Sequence, residues 1–510
     1  MKEMADPQVL IVGAGPTGMT AAIELKRLGM DVRVVDRSDH MARYSQALVV
    51  QARTLEQLQR YGLAEEAIAR GRKLNEAKFY SEGKLIVDFK LDHMDGRYPF
   101  ALFIPQSETE KLLNAQMESL GVKAERGVEL LELKGDPHLH AVLRHPDGGT
   151  EEIAPRWVIG ADGAHSTVRE KMGVAFEGGG VGLSFFLGDC EVEGADVPGN
   201  ELAIHVHHGD VLFLGRLSDR VVRLIVATHD QQGQEKRDVT IEDLQRALDR
   251  MGVRAKIKSA EWLTPFHVND RQAKHYRIGN VFLAGDACHI HSPVGGQGMN
   301  TGMQDVANLA WKIAAVARGA SDTLLDSYEE ERGEVGRALL RFTERGLKLA
   351  TTTNPVVEKA RDIFAPLLTM LDPVQHRAVG FISETAIDYR SSSIVHDYGG
   401  DGHLRAGDRI PDLPLRGSSR QASLLDGWTV PRHRVFGLNL DQDDIQTMRT
   451  DLPNVDVVVL ATTDLEYEGR RLFGDDGKIF VLRPDGYLGF RSPMGFRVEL
   501  LKYARQEGLA

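Results

Sequence analysis

Cysteine is almost absent from this 510-residue chain: Cys190 and Cys288 stand far apart and in no CxxC pair. A disulfide scaffold is thereby excluded, and the scarcity fits a reducing cytoplasm. No run of roughly 18 or more apolar residues goes uninterrupted by charge, so a transmembrane helix is not expected. The polar stretch before Val9 lacks the apolar core of a signal peptide. Long basic runs are missing too. Lysine and arginine number 62 against 74 acidic residues, a net charge of −12, which argues against nucleic acid or anionic membrane as partner. No repeat of about 20 to 50 residues is present. Hydrophobic residues at 42% and charged residues at 27% are ordinary globular usage, excluding disorder, collagen and coiled coil. The length corresponds to about three domains. Glycine, with 52 residues, is the one excess over the usual ~7%, and it clusters.

The opening reads as β-α-β. An apolar strand over 8–12 is followed by glycines, a helix carrying Ala21, Ala22, Leu25 and Leu28, a stop at Gly29, and an alternating strand over 31–36. Helices are expected near 54–70 and 108–120, and a strand at 157–160. From 182 to 266 the texture changes to short alternating strands (202–207, 211–214, 221–227) with a helix near 241–251, an antiparallel sheet inserted into the first domain. A strand at 277–283 and a long helix at 299–317 resume that domain, and further helices lie between 324 and 386. Ser391-Ser392-Ser393 and Gly399-Gly400-Asp401-Gly402 mark a join. Strands at 455–461, 479–482 and 488–491 and a helix at 497–506 make a separate α/β unit.

Gly13-Ala14-Gly15-Pro16-Thr17-Gly18 is a GxGxxG that follows a strand and opens a helix. Gly13 allows the tight turn, Gly15 the approach of a pyrophosphate, and Gly18 close helix–strand packing. The helix start offers unpaired N–H groups and the positive end of a dipole. Asp36, at the end of the second strand, stands where an acid holds ribose hydroxyls. A glycine turn in an unrelated α/β sheet is the alternative, and NAD and the ADP half of FAD are not distinguished by this motif. Two later segments bear on that choice. Ile159-Gly160-Ala161-Asp162-Gly163 puts a carboxylate on a tight turn, with Arg169 beyond. Leu283-Ala284-Gly285-Asp286-Ala287-Cys288-His289 precedes Pro293-Val294-Gly295-Gly296-Gln297-Gly298-Met299-Asn300. A strand ending in Asp286 can face ribityl hydroxyls, and a helix opening after glycines can stabilise negative charge on a flat ring.

Taken together, these motifs resemble those of the single-component flavoprotein aromatic hydroxylases, the family of phenol hydroxylase and many aromatic polyketide oxygenases. The resemblance spans essentially the whole chain, including Arg53-Thr54-Leu55-Glu56 and Pro105-Gln106 ahead of Glu110. It implies an α/β fold: a Rossmann-like FAD-binding domain over 1–181 and 267–390, an inserted antiparallel-sheet substrate domain over 182–266, and a thioredoxin-like domain over 400–510. It implies FAD as cofactor and NADPH or NADH as co-substrate, the latter without a Rossmann domain of its own. The implied reaction is reduction of FAD, addition of O2 to give a flavin hydroperoxide, and transfer of its terminal oxygen to an aromatic ring, the protein supplying position and dryness. The cofactor residues carried over are Gly13, Gly15, Pro16, Thr17, Gly18, Asp36, Arg37, Arg43, Gln106, Asp162, Asp286, Gly296, Gly298, Met299 and Asn300, with Pro293 beside the reactive face as the catalytic position.

For the substrate, the inserted sheet offers Phe185, Phe186, His205, His207, Phe213 and Arg223, of which alternation turns only some inward. Phenol hydroxylases gain from a base that makes phenolate. Leu48 stands where phenol hydroxylase has a carboxylate, and Gln46 where many relatives are basic. Simple phenol is therefore disfavoured against a larger phenolic or polycyclic aromatic. No metal is expected, because His289 and His291 have no matching cysteine or carboxylate set, and Cys288 reads as a small buried hydrophobe. The C-terminal unit lacks CxxC, which excludes dithiol redox chemistry. In relatives it serves as a structural appendage or in dimer contacts. Baeyer–Villiger or epoxidising chemistry on the same scaffold, a flavin-loaded binding protein without turnover, and an ordinary NAD-dependent dehydrogenase are the competing readings. A halogenase is disfavoured by the lack of WxWxI.

Overall fold

The computed structural model describes residues 6–41, 47–92, 94, 96–135, 138–194, 196–229, 238–291, 296–369, 372–416, 423–452, 455–493, 495 and 497–509. Its first layer is a six-stranded sheet in the order Arg277–Ile278, Val281–Leu283, Trp157–Gly160, Val9–Val12, Val32–Asp36, Ala124–Arg126. All neighbours run parallel except the first pair. The middle strands are buried on both faces, as parallel strands covered by helices must be. Helix Pro16–Arg27 starts with proline, whose fixed φ suits a first turn. It stops at Gly29, where φ is +83°, and Lys26 and Arg27 sit at the negative end of its dipole. Helix Gly298–Ala317 is buried almost all round and packs with Pro16–Arg27 into the main core; its buried polar side chains, such as Asn300, Asp305 and Lys312, are hydrogen-bonded there.

Two sequence expectations are corrected within this layer. The helix expected near 54–70 is two helices, Ala52–Arg60 and Ala64–Arg70, because Gly62 takes φ +79° between them. The strand expected at 277–283 is a tight antiparallel pair, Arg277–Ile278 with Val281–Leu283, turning at Gly279 (φ +56°).

The second layer is an eight-stranded sheet ordered His289–Ile290, Ala255–Ala273, Phe176–Gly194, Val221–Thr228, Asp210–Arg216, Glu201–His207, Glu76–Ser81, Lys84–Lys90. It is wider than the segment 182–266. Of its two 19-residue strands, Phe176–Gly194 begins before that segment and Ala255–Ala273 ends after it, and Glu76–Ser81 pairs parallel to Glu201–His207. Non-local pairing of this kind leaves no local sequence signal. Helix Ile241–Arg250, started by a Thr240–Asp243 capping box, covers one face with Leu244, Ala247 and Leu248. The other face carries Phe185, Phe213 and Ile225 and meets Leu347 of helix Asp326–Ala350. That face also meets the short strand Ala101–Phe103, which pairs with Val49–Val50. A Cβ on Gly215, which shares parity with Phe213, would lie 1.9 Å from the Phe103 ring.

A five-stranded mixed sheet forms the C-terminal unit, in the order His396–Asp397, Leu488–Pro493, Lys478–Leu482, Arg434–Leu438, Asp456–Leu460. Helices Gln442–Asp451, Tyr467–Phe473 and Arg497–Gln506 belong to the same unit. Buried charges fasten it to the rest. Arg483 donates to Glu331 at 2.6 and 2.8 Å, and Glu331 also accepts from Lys312 at 2.8 Å and Asn308 at 2.6 Å. Burial pushes the Glu331 carboxyl up, but Arg483 and Lys312 outweigh it and hold it well below its ordinary range. Among the described residues, no helix is long and apolar enough to cross a membrane.

Candidate functional site

Strands Val9–Val12, Trp157–Gly160 and Val281–Leu283 are adjacent and parallel, so the three motif-bearing turns leave the sheet at one edge. That carboxyl edge is where open α/β sheets take ligands. The turns interlock. A Cβ on Gly13 (φ +104°) would lie 2.2 Å from the Ala161 carbonyl oxygen, and one on Gly18 would lie 1.8 Å from the Gly13 carbonyl oxygen. The Thr17 hydroxyl sits where a Cβ on Gly285 or on Gly302 would come within 2.6 and 2.5 Å of it. Gly15 is different, for nothing lies within 4 Å of its Cβ position. Helix Pro16–Arg27 therefore presents bare backbone to open space, the cradle that a pyrophosphate needs.

Asp36 accepts from the Ala14 N–H at 2.6 Å and the Ser38 N–H at 2.8 Å, which couples the second strand to the glycine turn. Arg126 stands 3.4 Å from the same carboxylate and also donates to the Ala14 carbonyl at 3.3 Å. Asp162 accepts from the Ser166 hydroxyl at 2.5 Å and the Val168 N–H at 3.1 Å, while burial raises its carboxyl. Arg169 is buried and joins the second turn to the third, donating to the Ala164 carbonyl at 2.8 Å and the Ala287 carbonyl at 2.9 Å.

Asp286 stands in a single 3-10 turn, Gly285–Ala287, with its side chain open to solvent. Surrounding protein still desolvates it enough to raise its carboxyl. A Cβ on Gly298 would lie 3.9 Å from Asp286 Oδ1, so the start of helix Gly298–Ala317 and this carboxylate border one space. Asn300 is fully buried and fixes the glycine loop, donating to the Val49 and Gly296 carbonyls at 2.8 and 2.7 Å and accepting from the Gln51 N–H at 2.9 Å. Met299 is half-buried against the main core. The Gln106 amide donates to Glu110 at 2.8 Å and its oxygen accepts from the Ala47 N–H at 3.0 Å. Bare backbone at Gly15, Asp36 at the end of the second strand, and the exposed Asp286 beside a helix start together fit an extended dinucleotide cofactor.

Arg37 is exposed. Arg43 and Pro293 lie outside the described residues. Leu48 is buried in the main core. Phe185 and Phe213 share one face of the wide sheet. Arg223 is buried and paired to Asp189 by two 2.7 Å bonds, and the Trp262 indole donates to the same carboxylate at 2.7 Å. His205 does not join them. Ile204 and Val206 lie on the Phe213 face, and strand alternation sends His205 to the other. There it stacks on Tyr80 at 4.6 Å, and burial lowers its imidazole to about 4.

The sequence offers His289 no carboxylate, yet the fold supplies Asp305, whose carboxylate lies 2.8 Å from His289 Nε2 and accepts from Arg332 at 2.7 Å and the Gly285 N–H at 3.0 Å. Burial pushes Asp305 up, but His289 and Arg332 bring it down to about 2. Cys288 shares this cluster. Burial raises its thiol well above the ordinary range, consistent with a packing role. Arg126, Gly302, Asp305 and Arg332 were not singled out from the sequence, because each acts through a partner distant in the chain. Glu384 belongs with them. It is buried at φ +61°, accepts from the Thr301 hydroxyl at 2.8 Å and from the Gln304 amide, and lines a cavity of about 280 Å³ with Gln297, Val335 and Phe381.

Residues 6–343 match the family described as FAD binding domain. The chain is 35% identical to 6-methylpretetramide 4-monooxygenase of Streptomyces rimosus, over 95% of this chain and 91% of that protein. It is also 35% identical to pentachlorophenol 4-monooxygenase of Sphingobium chlorophenolicum, over 81% and 77%. Among solved structures, an anhydrotetracycline hydroxylase from Streptomyces rimosus is 31% identical and aligns with a TM-score of 0.82 over 98% of this chain and 99% of that one. A dehydrogenase, the reading that GxGxxG alone left open, is set aside by these matches, and FAD is the cofactor that the site takes. The chain belongs to the FAD-dependent aromatic monooxygenases.

Proposed function

We propose that this monooxygenase hydroxylates a polycyclic or other large phenolic substrate with O2 and NAD(P)H. The observation that carries the reading is the meeting of three turns, bearing Gly15, Asp162 and Asp286, at one sheet edge. The likeness to enzymes named for a pretetramide and an anhydrotetracycline supports a polycyclic substrate, as does the apolar Leu48 in place of a carboxylate. FAD, when bound, supplies the redox chemistry and the activation of O2.

In this reading the turn Gly13, Gly15, Pro16, Thr17 and Gly18 holds the pyrophosphate on backbone N–H groups, and Asp36 with Arg126 orients the ribose end. Gln106, Asp162 and Asp286 line the extended middle, Asp286 accepting from ribityl hydroxyls. Gly296, Gly298, Met299 and Asn300 bring the helix start to the ring, where its dipole favours negative charge. Arg37 would serve the phosphate side, and Pro293 and Arg43 keep only the roles that the resemblance implies, since they lie outside the described residues. Phe185 and Phe213 would keep water from the substrate side when FAD is bound, which would strengthen the polar contacts to it. Arg223 serves the same face, its charge held by Asp189.

The division of labour follows: 1–181 and 267–390 hold FAD, 182–266 forms most of the substrate roof, and 400–510 is a thioredoxin-like unit without dithiol chemistry, serving structure or a homodimer contact. A cytoplasmic setting without nucleic acid or membrane partners fits the acidic charge.

Purified protein incubated with NADPH or NADH and a panel running from phenol to tetracyclic phenols tests the reading. Products heavier by one oxygen from the polycyclic members, with little turnover of phenol, are expected. Preference for phenol would overturn the substrate class. Asp286→Ala, which leaves ribityl hydroxyls unpaired, should emerge with little FAD, and full retention would overturn the role of Asp286.

A further inference from the structure

Away from the three turns, two hairpin tips of the wide sheet bring together imidazoles and carboxylates. Glu76–Ser81 runs parallel to Glu201–His207 with Ser81 opposite Val206, so the next residues, Glu82 and His207, stand side by side, Glu82 Oε1 2.8 Å from His207 Nδ1. Each strand then turns through two residues of positive φ: Glu82 (+49°) and Gly83 (+72°), His208 (+45°) and Gly209 (+86°). Such turns favour asparagine, aspartate or glycine at their first central position. Here those positions hold a glutamate and a histidine, side chains that bring metal-ligand chemistry at a backbone cost. Extended backbone would send His207 and His208 to opposite faces. The left-handed φ of His208 instead brings the two rings within 4.4 Å. Helix Pro355–Thr369 adds Glu358, whose Oε2 lies 3.9 Å from His208 Nδ1.

We propose that His207, His208 and Glu82, with Glu358 as fourth ligand, form a divalent transition-metal site tying the two hairpins to helix Pro355–Thr369. One ligand atom from each of Glu82, His207 and His208 lies within 4.8 Å of the other two. Ligands about 2.0–2.2 Å from a tetrahedral zinc are spaced about 3.4 Å apart, so a side-chain adjustment of about an ångström closes Glu82, His207 and His208 around one ion, with Glu358 reaching it from the His208 side. Two imidazoles with two carboxylates suit Zn²⁺, Ni²⁺ or Cu²⁺ rather than Mg²⁺ or Ca²⁺. The site stands apart from the FAD crevice and does not depend on the substrate reading.

The test is calorimetric titration of chelator-stripped, FAD-loaded protein with ZnCl2. One equivalent should bind, with a rise in melting temperature that EDTA reverses. His207→Ala and His208→Ala should each weaken zinc binding roughly tenfold or more without loss of FAD, and Co²⁺ should give visible bands that both variants lose. Should those variants fold poorly, Glu82→Gln and Glu358→Gln serve instead, and unchanged zinc affinity in both overturns the site. Failure of the wild-type protein to take up one equivalent overturns it as well. So does uptake that survives in the doubly substituted His207→Ala/His208→Ala protein, which would direct the metal to Cys288, His289 and Asp305.

Discussion

The guanidinium of Arg169 donates to the carbonyl of Ala287 at 2.9 Å, a bond between residues 118 positions apart. With its second bond to Ala164, this side chain joins the turn carrying Asp162 to the turn carrying Asp286. The crevice therefore keeps its shape through a positioning residue that need not touch the cofactor.

Arg169→Met should strand the buried Ala287 carbonyl and the half-buried Ala164 carbonyl. Hydrogen bonds to charged groups contribute about 1.5–3 kcal/mol each, so a loss of about 3 kcal/mol in urea unfolding is expected, with FAD lost on gel filtration. A variant as stable as the parent and fully yellow would show that the bridge is dispensable.

Two glycines separate ligand space from packing space. Gly15→Val adds atoms where none lie within 4 Å, so the ligand-free protein should melt as the parent does while FAD binding disappears. Gly302→Ala sets a methyl 2.5 Å from Thr17 Oγ1 and 2.9 Å from the Gly285 Cα, and overpacking of this kind costs about 1–3 kcal/mol. Matched melting curves of the two FAD-free variants decide it. Equal destabilisation of both would contradict the assignment of Gly15 to ligand space.

Burial raises the Glu384 carboxyl to about 7, against the opposing bond from Thr301 and the nearby charge of Arg332, while Asp305 pushes it further up. A carboxyl raised on folding stabilises the fold while protonated, below the unfolded value near 4.5, and that contribution fades as pH rises through 7. Glu384→Gln should match the parent near pH 4.5 and exceed it at pH 8 by up to about 3 kcal/mol. Glu507, raised to about 8 by burial, falls off in both proteins and cancels in the comparison. Parallel pH–stability curves would remove Glu384 as the source.

Arg483 and Glu331 lock the C-terminal unit onto helix Asp326–Ala350 with neither side chain exposed. Breaking a buried pair by removing one partner costs about 3–5 kcal/mol. Arg483→Met should lose that much in denaturant unfolding, and Arg483→Met with Glu331→Gln should lose less than the sum of the two single changes. Strict additivity would mean that the two residues are not coupled.

Local order along the chain already determined much of this protein. The glycine pattern after an apolar strand, the Asp162 and Asp286 turns, and the buried helix 298–317 are short-range signals, because turns and helices are stabilised by residues a few positions apart. They were enough to specify the nucleotide-binding opening and the family. Long-range pairing decided the rest. Glu76–Ser81 joins the wide sheet only by lying parallel to a strand more than a hundred residues away. His205 faces away from Phe213 because strand register, not composition, sets the face. Asp305 reaches His289, and Arg169 reaches Ala287, only once helices and sheet are packed. The charge network behind the crevice belongs to the tertiary structure alone, because the energy of an ion pair depends on distance and burial, and neither is set until distant segments meet.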